Sequence, residues 1–386
     1  MVIMKREFVK KLFKVSAISL AMLGTLGFAQ EPIKIGALYS VTGGMSSIDA
    51  PSLKGAKLAA KLANKAGGVL GGREIEIIAV DAKTDQKASV LGAKKLLNEG
   101  VVVGIGHSDP SFVLPSAPLF QKKKIPFITS GATLPTLPAM IGDYLFMVAY
   151  GDDGQAYAVA DYTNKVLKAK NIAVWTDNGM DFTKALSKFY KKRAKEDGMK
   201  IVLEDFYMTG DKDFSAQITR LKNTSPKPDA IFVSAGPDEA GVIVKQIRQS
   251  GINAPILSGD GFDTDLIVTV PGKKYANDIY YSTHTFRGDN RPEVQKFISD
   301  YKKEYGIAPE NAFAALGYDA AALAIDAIKR ANSADPKKIK KALDDTDYQA
   351  VTGKISYKTG SRVPKKPIAI IGVNEGNVEV KKTMMP

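Results

Sequence analysis

From residue 30 onward the chain runs through one order of segments twice, and that repetition limits its fold more than any other feature. Residues 33–38, 74–80, 101–105 and 126–129 are short β-branched runs that read as strands. Amphipathic stretches over 52–65, 86–98 and 112–121 lie between them and read as helices. Strands separated by helices of about ten or more residues require βαβ crossovers and a parallel sheet. The series then recurs: 171–175 takes the place of 33–38, 200–206 with 213–222 that of 74–98, 229–234 with 242–250 that of 101–121, and 255–258 that of 126–129. The offset stays nearly constant, so the expectation is an α/β chain of two similar lobes, not one long sheet.

The rest is less regular. Residues 292–305, 312–331 and 336–344 read as helices, and 354–357 and 368–373 as strands around a basic turn at 358–366. Periodicity alone leaves two options open, a small third domain or pieces that complete both lobes.

The first 29 residues do not read as fold. Lys5, Arg6, Lys10, Lys11 and Lys14 precede a charge-free apolar run from Val15 to Phe28, closed by the small residues Gly27 and Ala29. That is the pattern of a secretory signal peptide cut near Ala29, and the run is shorter than the ~20 residues of a membrane span. The expectation is a soluble, periplasmic product without a lipid anchor, because the chain has no Cys to acylate. The same absence removes disulfides, thiolate metal sites and Cys nucleophiles, and two His, at 107 and 284, cannot build a multi-His metal site. Removing the leader takes away five positive charges and one negative, so the net charge falls from +13 to +9. The lysines are scattered along helix-like segments with no aromatic interleaving, which indicates a solvated surface and no nucleic-acid partner.

In open parallel sheets, ligands collect beyond the C-terminal strand ends, where helix N-termini present free N–H groups. Lobe one offers residues 39–44, 107–111 and 130–133 there, rich in hydroxyls and Gly, which suit an anionic group. Lobe two offers 177–182, 235–238 and 260–262, with carboxylates and aromatics that suit an ammonium and an apolar body. Such residues also populate turns and helix caps on their own account. Enzyme motifs fail. Gly104-Ile-Gly-His-Ser-Asp109 has Asp where a dinucleotide loop needs its third Gly, Gly236 to Gly241 continues without Lys-Ser/Thr, and no Gly-x-Ser-x-Gly occurs. Residues 260–265 carry alternating acids but lack the register of a calcium loop. His107 has no partnered nucleophile and is expected to hydrogen-bond locally after its strand. The expectation is a binding protein with no catalytic residues, cofactor or metal.

Several stretches, in order, carry a resemblance: Ile33-Lys-Ile-Gly-Ala, Val80-Asp-Ala-Lys-Thr-Asp85, Pro126-Phe-Ile-Thr-Ser-Gly-Ala-Thr133, Tyr150-Gly-Asp-Asp153, Gly210-Asp-Lys-Asp-Phe-Ser215, Ala254-Pro-Ile-Leu-Ser-Gly-Asp-Gly261 and Ala314-Ala-Leu-Gly-Tyr-Asp319. Together they resemble the periplasmic solute-binding proteins of the hydrophobic (branched-chain) amino acid uptake ABC transporters, of the leucine/isoleucine/valine-binding type. The resemblance implies a type I periplasmic binding protein: two Rossmann-like lobes joined by three crossings, near 149–151, 283–287 and 348–353. Lobe one would then hold 30–150 plus 285–350, and lobe two 151–284 plus 351–386. It implies capture of an amino acid between closing lobes by a monomer and delivery to a membrane ABC permease. Relatives of similar sequence bind amides, urea or aromatic acids, and a ligand-sensing role uses the same clamshell.

Position by position, the resemblance implies that Thr133 and the backbone of Gly131, within the loop Ser130-Gly131-Ala132-Thr133, hold the ligand's carboxylate and amino group, with Ser111 beside them. Asp260 falls where an acid binds the α-ammonium. Phe182 and Phe262 match aromatic positions of lobe two, and Tyr39 and Ile48 the loop that shapes the side-chain pocket. Three departures stand out: Asp260 is one methylene shorter than the Glu of that type, Pro110 replaces a Ser, and Ile48, Asp181 and Gly236 replace aromatics.

Overall fold

The computed structural model describes residues 31–385, so the expected leader lies outside the described residues. The first strand, β1 (Ile33–Tyr39), sends Ile33, Ile35, Ala37 and Tyr39 into one core and Leu38 into another, so its sheet is covered on both faces. Its neighbours are β2 (Ile75–Asp81), β3 (Val103–Gly106), β4 (Phe127–Thr129) and β5 (Leu145–Met147). They lie in the order β2-β1-β3-β4-β5, every pair parallel. In the second lobe β6 (Asn171–Asp177), β7 (Lys200–Tyr207), β8 (Ala230–Ser234), β9 (Ile256–Ser258) and β10 (Ile279–Thr283) repeat that order as β7-β6-β8-β9-β10, again parallel. The duplication is therefore a duplication of topology.

The tail completes both lobes. A hairpin of β11 (Asp347–Ala350) and β12 (Gly353–Ser356) packs Ala350 and Ile355 into the core of lobe one, and the Tyr357 hydroxyl donates to the Met147 carbonyl at 2.7 Å. Beyond it, β13 (Ile368–Asn374) joins the second sheet antiparallel to β10, and β14 (Asn377–Met384) pairs antiparallel with β13 at its edge. The third passage thus lies between Val363 and Ile368, further along than 348–353, because the hairpin is held by lobe-one side chains. The other two passages follow β5 and β10.

Helices α1 (Ser46–Lys65), α2 (Gln86–Asn98), α3 (Pro110–Lys123) and the short α4 (Leu137–Ile141) belong to lobe one, and α5 (Asp152–Lys165), α6 (Asp181–Glu196), α7 (Ser215–Asn223), α8 (Pro237–Gln249) and the short α9 (Leu266–Thr269) to lobe two. After them come α10 (Pro292–Tyr305), α11 (Ala312–Ala331) and α12 (Pro336–Asp344). Helix α1 begins at Ser46, ahead of the expected start at Ser52, although Pro51 lies inside it. Pro51 has no N–H to give the Ser47 carbonyl, and the Asn311 side chain donates to that carbonyl instead, at 2.8 Å. The same amide caps α11 by accepting from the Phe313 N–H at 3.1 Å. Close contact between α1 and α11 rests on glycine: a Cβ on Gly55 would lie 1.9 Å from the Ala314 carbonyl oxygen, and one on Gly317 1.9 Å from that of Ser52. Among the described residues no helix is long and apolar enough to cross a membrane.

Candidate functional site

The two sheets point their C-terminal strand ends at a common cleft. Met45, Ile48, Ser108, Asp109 and Phe313 line it from lobe one, and Met180, Phe182, Gly236, Pro237, Asp260 and Gly261 from lobe two, around a narrow space. The lobes meet across it: the Asp181 N–H donates to Ser111 Oγ at 3.0 Å, and the Ala312 N–H at the start of α11 donates to Asp263 Oδ2 at 3.0 Å.

On the lobe-two side the chemistry centres on Asp260, which follows β9 on a single 3-10 turn. Its Oδ2 pairs with His284 Nε2 at 2.9 Å, and its Oδ1 accepts from Gln155 Nε2 at 3.2 Å. Gln155 Oε1 in turn accepts from the Asp260 N–H at 3.1 Å and the Ser282 hydroxyl at 2.7 Å. Tyr150 stacks on His284 with ring centroids 3.8 Å apart. Tyr150 lies on the first passage and His284 on the second, so the acid of lobe two is braced by the hinge. Burial lowers the His284 pKa, opposed by Asp260, and raises that of Asp152, whose carboxylate also takes Gln155 Nε2 at 2.9 Å.

On the lobe-one side, Asp109 is the N-cap of α3: its Oδ1 accepts from the Ser111 N–H at 2.6 Å, with Pro110 at the first helical position. Its Oδ2 is buried with no hydrogen-bond partner. Burial pushes Asp109 up to about 6, against the pull of Ser111 and with a further push from Asp181 and Asp177. Behind it, burial pushes Asp49 up to about 7, partly offset by Ser108 and by the Ser40 N–H, which donates at 2.7 Å.

Of the residues singled out from the sequence, Ile48, Phe182 and Asp260 line the cleft and Ser111 bridges its rim. Gly131 packs behind the wall, where a Cβ would lie 2.7 Å from Ser108 Oγ and 2.9 Å from the Phe313 ring. Tyr39, Ala132 and Phe262 are buried in the lobe cores, and the Ser130 hydroxyl turns to the His107 carbonyl at 3.4 Å. The Thr133 carbonyl accepts from the Asp152 N–H at 2.7 Å, and its hydroxyl acts on the Asp152 carboxylate. His107 is a correction. Neither ring nitrogen finds a hydrogen-bond partner; the ring packs against Phe112 and Phe127, and burial pushes its pKa to about 3, so it is neutral.

Asp109, Ser108, Gly236, Pro237 and Gly261 lie inside the strand-end segments already marked, but nothing in their types distinguished them from cap and turn residues. Met45 and Phe313 lay outside those segments, at the starts of the two long helices. His284 and Gln155 could be found only through Asp260. Chemically, the cleft offers acceptors and apolar surface: its two charged side chains, Asp109 and Asp260, are both acidic.

Known proteins extend this picture. The chain is 29% identical to the branched-chain amino acid transporter substrate-binding protein LivJ of Streptococcus pneumoniae, solved in complex with isoleucine, with a TM-score of 0.86 over 92% of this chain and 100% of that one. It is 30% identical to a leucine-binding protein, LivK, of Thermotoga maritima, with a TM-score of 0.84 over 92% and 99%. A leucine-, isoleucine-, valine-, threonine- and alanine-binding protein of Pseudomonas aeruginosa is 26% identical over 89% of this chain and 90% of its own length. A benzoate-bound solute-binding protein of Rhodopseudomonas palustris, at 18% identity and a TM-score of 0.81, shares the fold. The family model described as periplasmic binding protein matches residues 32–377, nearly the whole described chain, and the protein belongs to that family.

Proposed function

We propose that the protein captures an amino acid between its two lobes and hands it, as a monomer, to the membrane permease of an ABC transporter. The observation that carries this reading is Asp260, a buried acid facing the cleft and braced by His284 and Gln155. A carboxylate offers about four lone-pair sites, so Asp260 can still accept from an α-ammonium. The carboxylate of the ligand would lie toward Gly131 and Thr133, with Ser111 and Phe182 closing over it. Tyr39, Ser130, Ala132 and Phe262 would shape the pocket from behind. Kinship makes the branched-chain amino acids the reference ligands. The basic, then apolar, segment ending at Ala29 supports export to the periplasm without a lipid anchor.

A thermal-shift screen tests this. The protein is unfolded and refolded to strip carried-over ligand, then warmed with amino acids, amides and aromatic acids. A ligand at about a thousand times its Kd adds about 4 kcal/mol and raises Tm visibly. A rise with amino acids is expected. A rise confined to amides or aromatic acids would keep the solute-binding role and overturn the ammonium assignment of Asp260.

A further inference from the structure

We propose that Asp109 sets the specificity of the cleft: it selects a ligand whose side chain ends in a hydrogen-bond donor, an ammonium above all, where branched-chain amino acids present only methyl groups. The proposal rests on the reading above, that an amino acid fills the cleft between Asp109 and Asp260.

The geometry that carries it is a half-used carboxylate. Asp109 is 1% exposed and lines the cleft: Oδ1 accepts the Ser111 N–H, the Ser111 hydroxyl lies beside the carboxylate, and Oδ2 is buried without a hydrogen-bond partner. A buried acceptor left without a donor loses its hydration and regains nothing, and the cost is larger for a charge. A ligand methyl group against Oδ2 would leave that cost in place, whereas an ammonium would remove it and add an ion pair in a low-dielectric site. No lining residue supplies that cation, since the lining contains neither Lys nor Arg and the Ser108 hydroxyl is neutral. Oδ1 also occupies an N–H at the start of α3, and the negative charge beside it repels a ligand carboxylate from that helix end. The two acids, one on each lobe, then hold two ammonium groups of one ligand, Asp260 the α-group and Asp109 the distal one. The burial that raises the Asp109 pKa is the same burial that such a cation would offset.

The test is isothermal titration of ligand-stripped protein with three compounds of similar size: 2,4-diaminobutyrate, its apolar counterpart norvaline, and 1,4-diaminobutane. Asp109→Asn is the matched variant, since Asn keeps the helix cap and replaces Oδ2 by an N–H donor. Expected is diaminobutyrate binding at least tenfold tighter than norvaline, with the preference lost in Asp109→Asn. Norvaline binding as tightly as diaminobutyrate, or a preference that survives the substitution, overturns the role of Asp109 and leaves the amino-acid reading intact. Binding of the diamine alone, abolished in the variant, upholds Asp109 and removes the amino-acid reading. Silence with all three removes both.

Discussion

The two walls of the cleft carry one acid each, and the acids are held differently. On lobe two, Asp260 has both oxygens engaged, by His284 and Gln155, and its backbone N–H is tied to the same Gln155. On lobe one, Asp109 spends one oxygen on its helix and buries the other without a partner. The first arrangement is preorganised: its position is fixed by groups on the passages between the lobes, so Asp260 is tied through His284 to the Tyr150 ring stacked on it. The second is costly to the unliganded protein and favourable only once something in the cleft supplies a donor. A clamshell closes around solute when the ligand contributes contacts to both lobes that neither can make alone. Here one lobe provides the rigid half of that contact and the other the unmet half.

The comparison breaks first at Asp260. Asp260→Ala should weaken ligand binding by about 3–5 kcal/mol, because it leaves an ammonium in the cleft and the His284 ring without their shared partner. Titration calorimetry measures this, and an affinity within threefold of the unmodified protein would show that the rigid acid does not contact the ligand.

The unmet half makes the opposite prediction about stability. The Asp109 carboxyl has an ordinary value of 3.8 and is pushed up to about 6 in the folded protein. At pH values above both, the unfolded chain ionises freely and the folded one pays for ionising, so folding stability contributed by this group falls as pH rises from about 4 through 6. Asp109→Asn should therefore stabilise the ligand-free protein by up to about 3 kcal/mol near pH 7.5, a gain that shrinks toward zero near pH 4. Urea denaturation at the two pH values checks it. A variant no more stable than the parent at neutral pH would mean that Asp109 finds a donor in the unliganded cleft.

Much of this organisation was legible in the sequence, and the exceptions have a common physical cause. Strand order followed from alternation, because each β-branched run between helices had to enter a parallel sheet, and the repeat carried the order of lobe one into lobe two. Helix starts were legible only where no long-range partner intervened: α1 reaches back to Ser46 because Asn311, far along the chain, satisfies the carbonyl that Pro51 leaves open. The same holds for the site. Asp260 and Phe182 could be marked from their strand ends, but His284 and Gln155 become relevant only when the fold brings the hinge and α5 against Asp260. Asp109 reads as an ordinary N-cap, and it is one; what sequence could not show is that its second oxygen lines the cleft, buried and without a hydrogen-bond partner. Tyr39 and Phe262 are large residues beside the cleft that the core takes up instead.

The smallest effect sharpens the comparison at the rim, where the lobes touch each other directly. Ser111 Oγ accepts the Asp181 N–H across the gap, a neutral hydrogen bond between the first turns of α3 and α6. Such a bond adds only about 0.5–1.5 kcal/mol. It exists only when the lobes are closed, so the whole of that energy falls on the open–closed equilibrium. Ser111→Ala should therefore loosen the ligand about 2- to 12-fold through a smaller closed population, with the stability of each lobe nearly unchanged. Small-angle scattering of the ligand-free protein should show a larger radius of gyration in Ser111→Ala, and saturating ligand should erase the difference. If the radius differs with ligand as much as without it, Ser111 acts on the fold of lobe one and not on closure.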